Sequence, residues 1–367
     1  MNFSKLVLAL LVCSSFLVSC TDDDVNNNTE VPLGNYENGV LILNQGGFGH
    51  GDAAVSYVSA DFSVMQNDIF SLVNPAITLG DTGQDMGFYN QFAYIVLNVS
   101  NEIEIVNRYT MQSIGTISAG LNNPRYIDFA NGKGYVTNWG DGGNTSDDYV
   151  AVIDLSTNTV SGTIPVAEGP EAILENAGKL YVAHYGGWGF GNKISVIDAA
   201  SNTVTTTITV GDLPNAMQIS GGSLWVSCEG NPNYVMEPLV ETPGKLVKVN
   251  LTTNEVTDTF AYTDATKHLS NLVIEGADAY YTLDSGVYKF PLTSTVLPES
   301  PLFSTAAQDV FSVYSFAINN NHVYVGDAGN FVDNGKVYVY SLNGTTGGTL
   351  EKTYTVGVVP AGFYFNE

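Results

Sequence analysis

A segment of about 45 residues recurs three times in succession in the middle of the chain, and this repeat restricts the possible folds more than any other feature. The three copies begin at Asn123, Gly169 and Leu213. Each copy holds four short runs rich in Val, Ile, Thr and Tyr, separated by Gly, Asn, Asp and Pro. Four short strands in a unit of this length are typical of one β-propeller blade.

More degenerate copies flank the three clear ones, over residues 86–117, 269–303 and 313–356. The first copy, residues 40–70, lacks its leading strand, and we predict that residues 361–366 supply it. Such pairing closes the ring and removes both exposed sheet edges. No amphipathic helix of useful length lies between the runs, which excludes an alternating βαβ fold. The sequence therefore predicts an all-β chain with a single β-propeller of about seven four-stranded blades over residues 35–367.

The first 19 residues have the pattern of a signal peptide, because an apolar run too short to span a bilayer follows Lys5. The run ends in Leu17-Val18-Ser19-Cys20, which resembles the lipobox of bacterial lipoproteins. The resemblance implies cleavage before Cys20 and lipidation of that residue. Residues 20–34 are polar and acidic and are predicted to be a flexible tether. An acidic cluster after a lipidated cysteine resembles the export signal of Bacteroidetes surface lipoproteins, which implies an outer-membrane location facing the cell exterior.

Tyr135-Val136-Thr137-Asn138 spells the motif that names the YVTN family of β-propellers. The chain therefore resembles YncE-like and surface-layer-type propeller proteins. With its lipobox, its tether and the opening of residues 39–49, it also resembles the Bacteroidetes propeller lipoproteins that accompany TonB-dependent transporters. The best-understood members capture cobalamin at the cell surface and pass it to the transporter. The resemblance implies capture of a small molecule, with a corrinoid as the first candidate and a TonB-dependent transporter as the partner.

The charge of the chain restricts its partners. The formal net charge is −25, so the phosphates of nucleic acids would be repelled, as would an anionic lipid surface. We therefore expect no nucleic-acid partner and contact with the membrane only through the lipid anchor.

The candidate ligand site follows from strand order. In a blade, the loop between the second and third strands emerges on the same face as the loop into the next blade. Here these loops carry aromatic residues among glycines, which let the backbone approach a ligand closely. The loop of residues 229–244 adds Tyr234 and Met236. We predict that the ligand-binding residues are Phe48, His50, Gln84, Asp85, Arg125, Tyr126, Asn138, Trp139, Glu171, His184, Tyr185, Trp188, Phe190, Asn215, Glu229, His268, Phe311, Asp327 and Phe331.

Several alternatives to this ligand site remain open. Trp139, Trp188 and Phe190 could pack between blades instead of contacting a ligand. The cargo could be a glycan, a metal chelate or a peptide, and the propeller could equally be a platform for a protein partner.

Metal binding has little support in the spacing of the possible ligands. His50, His184 and His268 could share the loop-rich face but lie on separate blades, so we expect no metal site built from them. One loop offers oxygen donors that leave calcium open, although their spacing is not that of an EF-hand; they are Asp141, Asn144, Asp147 and Asp148.

An enzymatic function is also weakly supported. The sequence has no Gly-x-Ser-x-Gly elbow and no marked Ser/His/Asp set. Propeller lactonases and glutaminyl cyclotransferases place acidic or metal-binding groups at the central mouth, where Asp85, Glu171 and Asp327 could lie, but so acidic a chain would place some there by chance. Cys228 has no evident activating base and is expected to be an inert buried thiol. We expect a binding protein without a resident cofactor and without catalytic residues.

Overall fold

The computed structural model describes residues 33–232, 240–342 and 347–367. The predicted signal peptide, Cys20 and most of the predicted tether lie outside the described residues, as do Tyr234 and Met236. Within the described ranges the strands form seven four-stranded antiparallel sheets. They build a β-propeller, so the predicted fold class, the number of blades and the number of strands per blade are confirmed.

Four blades follow chain order from the innermost to the outermost strand. Blade 2 contains β4 (Gly83–Tyr89), β5 (Phe92–Leu97), β6 (Glu102–Asn107) and β7 (Ser113–Ile117). Blade 3 contains β8 (Pro124–Ala130), β9 (Lys133–Asn138), β10 (Tyr149–Asp154) and β11 (Thr159–Pro165). Blade 4 contains β12 (Pro170–Asn176), β13 (Lys179–His184), β14 (Lys193–Asp198) and β15 (Thr203–Thr209). Blade 5 contains β16 (Pro214–Ser220), β17 (Ser223–Cys228), β18 (Lys245–Asn250) and β19 (Glu255–Ala261).

The next two blades keep this order, but blade 6 has a shortened outer strand. Blade 6 contains β20 (Ser270–Glu275), β21 (Asp278–Leu283), β22 (Gly286–Pro291) and β23 (Phe303–Ser304), and the last is followed by a 3₁₀ turn at Ala306–Gln308. Blade 7 contains β24 (Ser315–Asn319), β25 (His322–Asp327), β26 (Lys336–Ser341) and β27 (Thr349–Thr355).

Blade 1 is assembled from both ends of the propeller. It contains β1 (Gly39–Asn44), β2 (Ala54–Ser59) and β3 (Met65–Gln66), followed by the short helix α1 (Ile69–Val73). Its innermost strand is β28 (Pro360–Asn366), which pairs antiparallel with β1 from Gly39↔Asn366 to Asn44↔Pro360. The predicted closure of the ring by the last strand is therefore confirmed.

The hydrophobic core lies between neighbouring blades. The buried side chains of the described residues form seven clusters, and each joins two adjacent blades. In one, Tyr135 and Val150 of blade 3 pack with Leu180 and Val182 of blade 4. Because each sheet is covered on both faces, the middle strands are buried at consecutive positions, whereas the outermost strand β11 is mostly exposed. The sequence consequently shows continuous apolar runs rather than strict alternation.

Side chains join the innermost strands of adjacent blades. Asp128 in β8 accepts a hydrogen bond from the Glu175 amide of the next blade, and Gln218 in β16 accepts one from the Ile274 amide. In the same way, Tyr364 in β28 accepts one from the Met86 amide. These bonds satisfy backbone donors that the innermost strands cannot pair within their own sheets. In the part of the chain that the structure describes, no helix is long and apolar enough to cross a membrane.

Candidate functional site

One face of the propeller collects the loops that the sequence analysis singled out. His184 at the end of β13 pairs with Pro170 at the start of β12, so the β13–β14 loop lies beside the loop that enters the blade. Asn138 and Pro124 form the same pair in blade 3, and Cys228 and Pro214 form it in blade 5. We call this face, where the innermost strands begin, the mouth.

Seven equivalent positions surround the central channel at the mouth. In every blade the last residue of the innermost strand pairs with the first residue of the second strand. Each of the seven positions lies five residues before that last residue. In blade order these positions hold Ala361, Gln84, Arg125, Glu171, Asn215, Ser270 and Tyr314. All except Ser270 line a central cavity of about 350 Å³. Gln45, Tyr126, Trp139, Tyr185 and Asn271 complete its lining.

A fixed cluster around Arg125 forms the wall of this cavity. The Arg125 guanidinium makes two hydrogen bonds to the Glu171 carboxylate, Nε to Oε2 at 2.9 Å and Nη2 to Oε1 at 2.7 Å. The guanidinium carbon lies 4.1 Å from the centre of the Trp139 ring. The Trp139 Nε1–H donates to the Pro170 carbonyl at 3.1 Å. Two planar groups are thus held rigidly at the centre of the mouth, and Glu171 neutralises the charge of Arg125.

An aromatic lobe extends from this cluster over blades 1 to 4. A cavity of about 540 Å³ is lined there by Gln45, Phe48, Gln84, Trp139 and Trp188, among others. Trp188 meets Trp139 edge to face, with ring centres 6.1 Å apart, and is 76% exposed. Phe48 is 82% exposed. Large apolar side chains at this level of exposure mark a binding surface more than a packing contact.

A second lobe lies over blades 5 to 7 and is more acidic. Two cavities of about 560 and 380 Å³ share Glu229, Ser270 and Phe311. Asp327 and Phe331 line the first cavity, and His268 lines the second. Phe311 is 89% exposed, and Phe331 packs edge to face on Tyr314 at 5.6 Å. Burial raises the pKa of Glu229, although its Oε2 accepts a hydrogen bond from the Tyr185 hydroxyl at 2.9 Å.

Three residues predicted for the ligand site are instead occupied with internal bonds. Asp85 accepts bonds from the Ile127 amide at 2.9 Å and the Tyr364 hydroxyl at 3.0 Å, and burial raises its pKa to about 6. Asn138 is fully buried and holds the Asn122 amide and the Val136 carbonyl. His184 is buried between the Glu168 carbonyl and the Ser195 hydroxyl, and burial lowers its pKa to about 4. None of the three lines the four cavities of the mouth.

The remaining predicted residues divide between the cavities and the loops. His50 and Phe190 are exposed in mouth loops but do not line the four cavities. The others line at least one of those cavities; they are Phe48, Gln84, Arg125, Tyr126, Trp139, Glu171, Tyr185, Trp188, Asn215, Glu229, His268, Phe311, Asp327 and Phe331. Asn215 is held in place, since its amide donates to the Leu269 carbonyl and its oxygen accepts from the Ser227 hydroxyl.

The possible metal ligands are dispersed. No group of three or more His, Cys, Asp or Glu side chains with metal-binding geometry occurs among the described residues. In the acidic loop, Asp148 accepts the Gly169 amide at 2.9 Å and burial raises its pKa to about 6. Asp147 accepts the Asp141 amide at 3.0 Å. These carboxylates therefore stabilise the loop itself.

Tyr314, Gln45 and Asn271 line the central cavity but were absent from the predicted site. The Tyr314 hydroxyl donates to Gln45 Oε1 at 3.0 Å, which links blade 7 to blade 1 across the mouth. The signal that could have identified Tyr314 is its position, which is equivalent to those of Arg125 and Glu171. The degenerate sequence before β24 lacks the proline that marks this position in blades 3 to 5.

The family pattern described as a domain of unknown function, DUF5074, matches residues 38–268, which is more than half of the chain. The chain belongs to the DUF5074 family. The match of this DUF5074 protein covers β1 to β19, which are the three outer strands of blade 1 and the whole of blades 2 to 5. No curated protein matches the chain significantly.

Solved structures resemble this DUF5074 protein in fold alone. A functionally unknown protein from Desulfotomaculum acetoxidans has a TM-score of 0.62 and 12% identity, over 89% of this chain and 98% of that one. The computationally designed Ika8 protein has a TM-score of 0.56 and 9% identity, over 91% and 92%. Hydrazine synthase from Kuenenia stuttgartiensis has a TM-score of 0.54 and 16% identity, over 76% and 88%.

Proposed function

We propose that the mouth binds a small amphipathic molecule that carries carboxamide groups, with a corrinoid as the first candidate. The observation that carries the proposal is the rigid Arg125–Glu171–Trp139 cluster, because it stands between exposed aromatic rings and a ring of amide side chains. A binding site held in place before the ligand arrives loses little side-chain entropy on binding.

The chemistry of the lining supports a corrinoid. A corrinoid is a broad, flat macrocycle edged with carboxamide side chains. Gln45 and Gln84 around the channel can each donate to and accept from such groups. The Asn271 oxygen can accept, while its amide nitrogen donates to Thr282 and Val313. Phe48 and Trp188 supply apolar area for the macrocycle, and the four cavities share lining residues, so the mouth offers one wide basin.

The cellular role belongs to the same proposal. The lipobox at Leu17–Cys20 and the acidic segment after it support a lipid-anchored protein on the outer face of the outer membrane. We propose that it passes its ligand to a TonB-dependent transporter, as the resemblance to YncE-like Bacteroidetes propeller lipoproteins implies.

Two carboxylates of the mouth are held by other side chains. Glu171 is paired with Arg125, and Glu229 accepts a hydrogen bond from the Tyr185 hydroxyl. Their fixed positions support the proposed role of the mouth in binding.

Calorimetric titration of cyanocobalamin into the full, non-lipidated chain tests the proposal. We expect saturable one-to-one binding that Trp188→Ala weakens about tenfold or more. Leu72→Ala is the matched control, because Leu72 is 66% exposed but lies in α1, away from the mouth. Absence of heat and of co-elution with the wild type would reject the corrinoid, and a Leu72→Ala effect equal to that of Trp188→Ala would reject the mouth as the site.

A protein partner is the second candidate function. Phe311, Phe331 and Val332 are 89%, 55% and 72% exposed, which gives the acidic lobe a wide apolar rim. A rim of this kind also suits docking of another protein. A Phe311→Ala change that leaves cyanocobalamin affinity intact but abolishes retention of the transporter would assign the lobe to the partner.

A further inference from the structure

A hydrogen bond between a tyrosine and an asparagine fastens two of the seams between blades. Tyr94 in β5 donates to Asn158 Oδ1 in the outer turn of blade 3 at 3.0 Å. Tyr135 in β9 donates to Asn202 Oδ1 in the same turn of blade 4 at 3.0 Å. Both asparagines have a positive φ, of 52° and 54°, which Asn tolerates better than most residues. Each tyrosine occupies the third position of its strand.

In two other seams the residues at these two positions have the same polarity. Between blades 4 and 5 the residues are Tyr181 and Asn254; the Tyr181 hydroxyl and Asn254 Oδ1 are enclosed by protein, and neither has a hydrogen-bond partner among the described residues. Between blades 1 and 2 the residues are Leu41 and Met111, which are both buried in one apolar cluster. In each of these four seams the two positions are therefore both polar or both apolar.

The seam between blades 7 and 1 breaks this rule. Tyr324 holds the tyrosine position in β25 and is only 7% exposed. In the facing turn of blade 1 the residue with positive φ is Phe62, at 60°, one position earlier in the loop than the asparagines. The two ring centres are 6.4 Å apart. Phenylalanine offers no acceptor, and no group within the described ranges of the chain hydrogen-bonds the Tyr324 hydroxyl.

A cavity of about 400 Å³ opens beside this hydroxyl, on the face opposite the mouth. Val40, Val58, Phe62, Tyr324 and Phe365 give it an apolar and aromatic lining. Its rim is polar and consists of Asn38, Ser59, Asn319, Asn320, His322 and Glu367. The Tyr324 side chain is thus mostly buried and lines this cavity, and no group among the described residues accepts its hydroxyl proton.

The backbone of Phe62 supports a dedicated role for this cavity. A bulky side chain with a left-handed φ costs of order 1 kcal/mol or more and persists only where the surroundings hold it. Here the Phe62 carbonyl accepts a hydrogen bond from the Tyr354 hydroxyl at 3.3 Å, and its ring meets His322 edge to face at 5.1 Å. The turn is thus held in the form that keeps an aromatic wall where blades 3 to 5 place an asparagine.

We propose that this seam cavity binds a small uncharged molecule with an aromatic or apolar body and a carbonyl oxygen that accepts a hydrogen bond from Tyr324. The ligand oxygen takes the place that Asn158 Oδ1 and Asn202 Oδ1 occupy at the seams between blades 2 and 3 and between blades 3 and 4. An anion is disfavoured, because Glu367 lies on the rim and Glu351 pairs with His322 at 3.2 Å. The site is independent of the mouth and of its proposed ligand.

Titration of the full chain with benzamide, followed in methyl NMR spectra through Val40 and Val58, tests the proposal. We expect saturable shifts of these two methyl groups, and Tyr324→Phe should weaken benzamide binding about three- to tenfold. Toluene has the same ring without the carbonyl, so its affinity should be equal in the wild type and in Tyr324→Phe. Phe62→Asn should supply the missing acceptor, remove the aromatic wall of the cavity and abolish binding of both probes.

Tyr94→Phe is the matched control, since it removes the same hydroxyl at a seam that already has its asparagine; its benzamide affinity should equal that of the wild type. Circular dichroism establishes that each variant is folded. The proposal is overturned if benzamide leaves Val40 and Val58 unshifted, if Tyr324→Phe binds benzamide as tightly as the wild type, or if folded Phe62→Asn still binds it.

Discussion

At the scale of single residues, the contacts of the charged and hydroxyl groups determine which changes the chain tolerates. Arg125 and Glu171 are only 15% and 11% exposed in their side chains, so each depends on the other for its charge. Lys267 and Glu299 form an ion pair whose carboxylate is 71% exposed and shared with water. The difference in burial predicts a difference in energetic value, because water screens the second pair.

Glu171→Gln should lower the free energy of unfolding by about 2 kcal/mol, since it leaves the Arg125 charge unpaired at the centre of the mouth. Glu299→Gln should lower it by less than about 1 kcal/mol. Urea unfolding of both variants measures the difference. Equal losses would show that the Arg125–Glu171 pair is no more valuable than a surface pair.

Tyr94 and Tyr324, which lie at two different seams, allow a second comparison of stability. Tyr94→Phe removes a hydrogen bond to Asn158 and should cost about 1 kcal/mol. Tyr324→Phe removes a hydroxyl that makes no hydrogen bond within the described residues, so its cost should be smaller than that of Tyr94→Phe. Thermal unfolding of both variants in the absence of ligand provides the measurement, and a larger loss for Tyr324→Phe would contradict this account of the 7/1 seam.

At the scale of strands, much of the structure could be predicted, because each blade repeats its turns and its apolar runs. The direction of side chains at strand ends could not. Asp85 follows Gln84 directly, but Gln84 lines the central cavity whereas Asp85 bonds to the next blade, because the register of β4 against β5 shifts at this point. His184 and Asn138 likewise end strands at the mouth and turn inward. The position of a residue at a strand end therefore predicted the face of the propeller on which it lies, but not the direction of its side chain.

Asp85 joins β4 to β8 and gives this contact a dependence on pH. Its pKa is raised from 3.8 to about 6 in the folded protein, so the folded state holds the proton more tightly. Its favourable contribution is complete below about pH 4 and is lost as pH rises through 6. The stability of the wild type relative to Asp85→Asn should fall by about 1 to 2 kcal/mol between pH 4.5 and 7.5.

Comparison with Asp85→Asn separates the pH dependence due to Asp85 from that due to other titrating groups. His184 has the opposite influence, because its lowered pKa of about 4 removes stability as pH falls below 6.5. It is present in both proteins and cancels in the difference. Unfolding curves in urea at each pH give the comparison, and a difference that does not vary with pH would rule out titration of Asp85 in this range.

At the scale of the whole molecule, the ring depends on the pairing of β28 with β1. Asn366 also donates to the Tyr36 and Arg108 carbonyls, and Arg108 donates to the Glu367 carbonyl at 2.8 Å. Blade 1 was predictable because its first copy lacked a strand. Its outer edge was not, since β3 is two residues long and α1 replaces the rest of the strand, with no repeat to predict it.

Removal of residues 360–367 should expose the edge of β1 and one face of its core. We expect a truncated chain that aggregates or unfolds at least 10 °C below the wild type. Removal of Glu367 alone keeps β28 intact and serves as the control. Light scattering and calorimetry measure both, and a monomeric truncation with unchanged melting would mean that the ring does not require this closure.

Because the chain is synthesised from its amino end, the assembly of blade 1 from both ends of the propeller affects how it folds. Gly39 pairs with Asn366, and the whole of blades 2 to 7 lies between them in the sequence. A chain that emerges from its amino end can form those six blades in turn, whereas β1 waits for the final strand to appear. Contacts this distant in sequence also form slowly, because the loop that they close is long. We therefore expect closure of the ring to be the last event of folding, and the first residues of the propeller to remain accessible to chaperones and proteases until then.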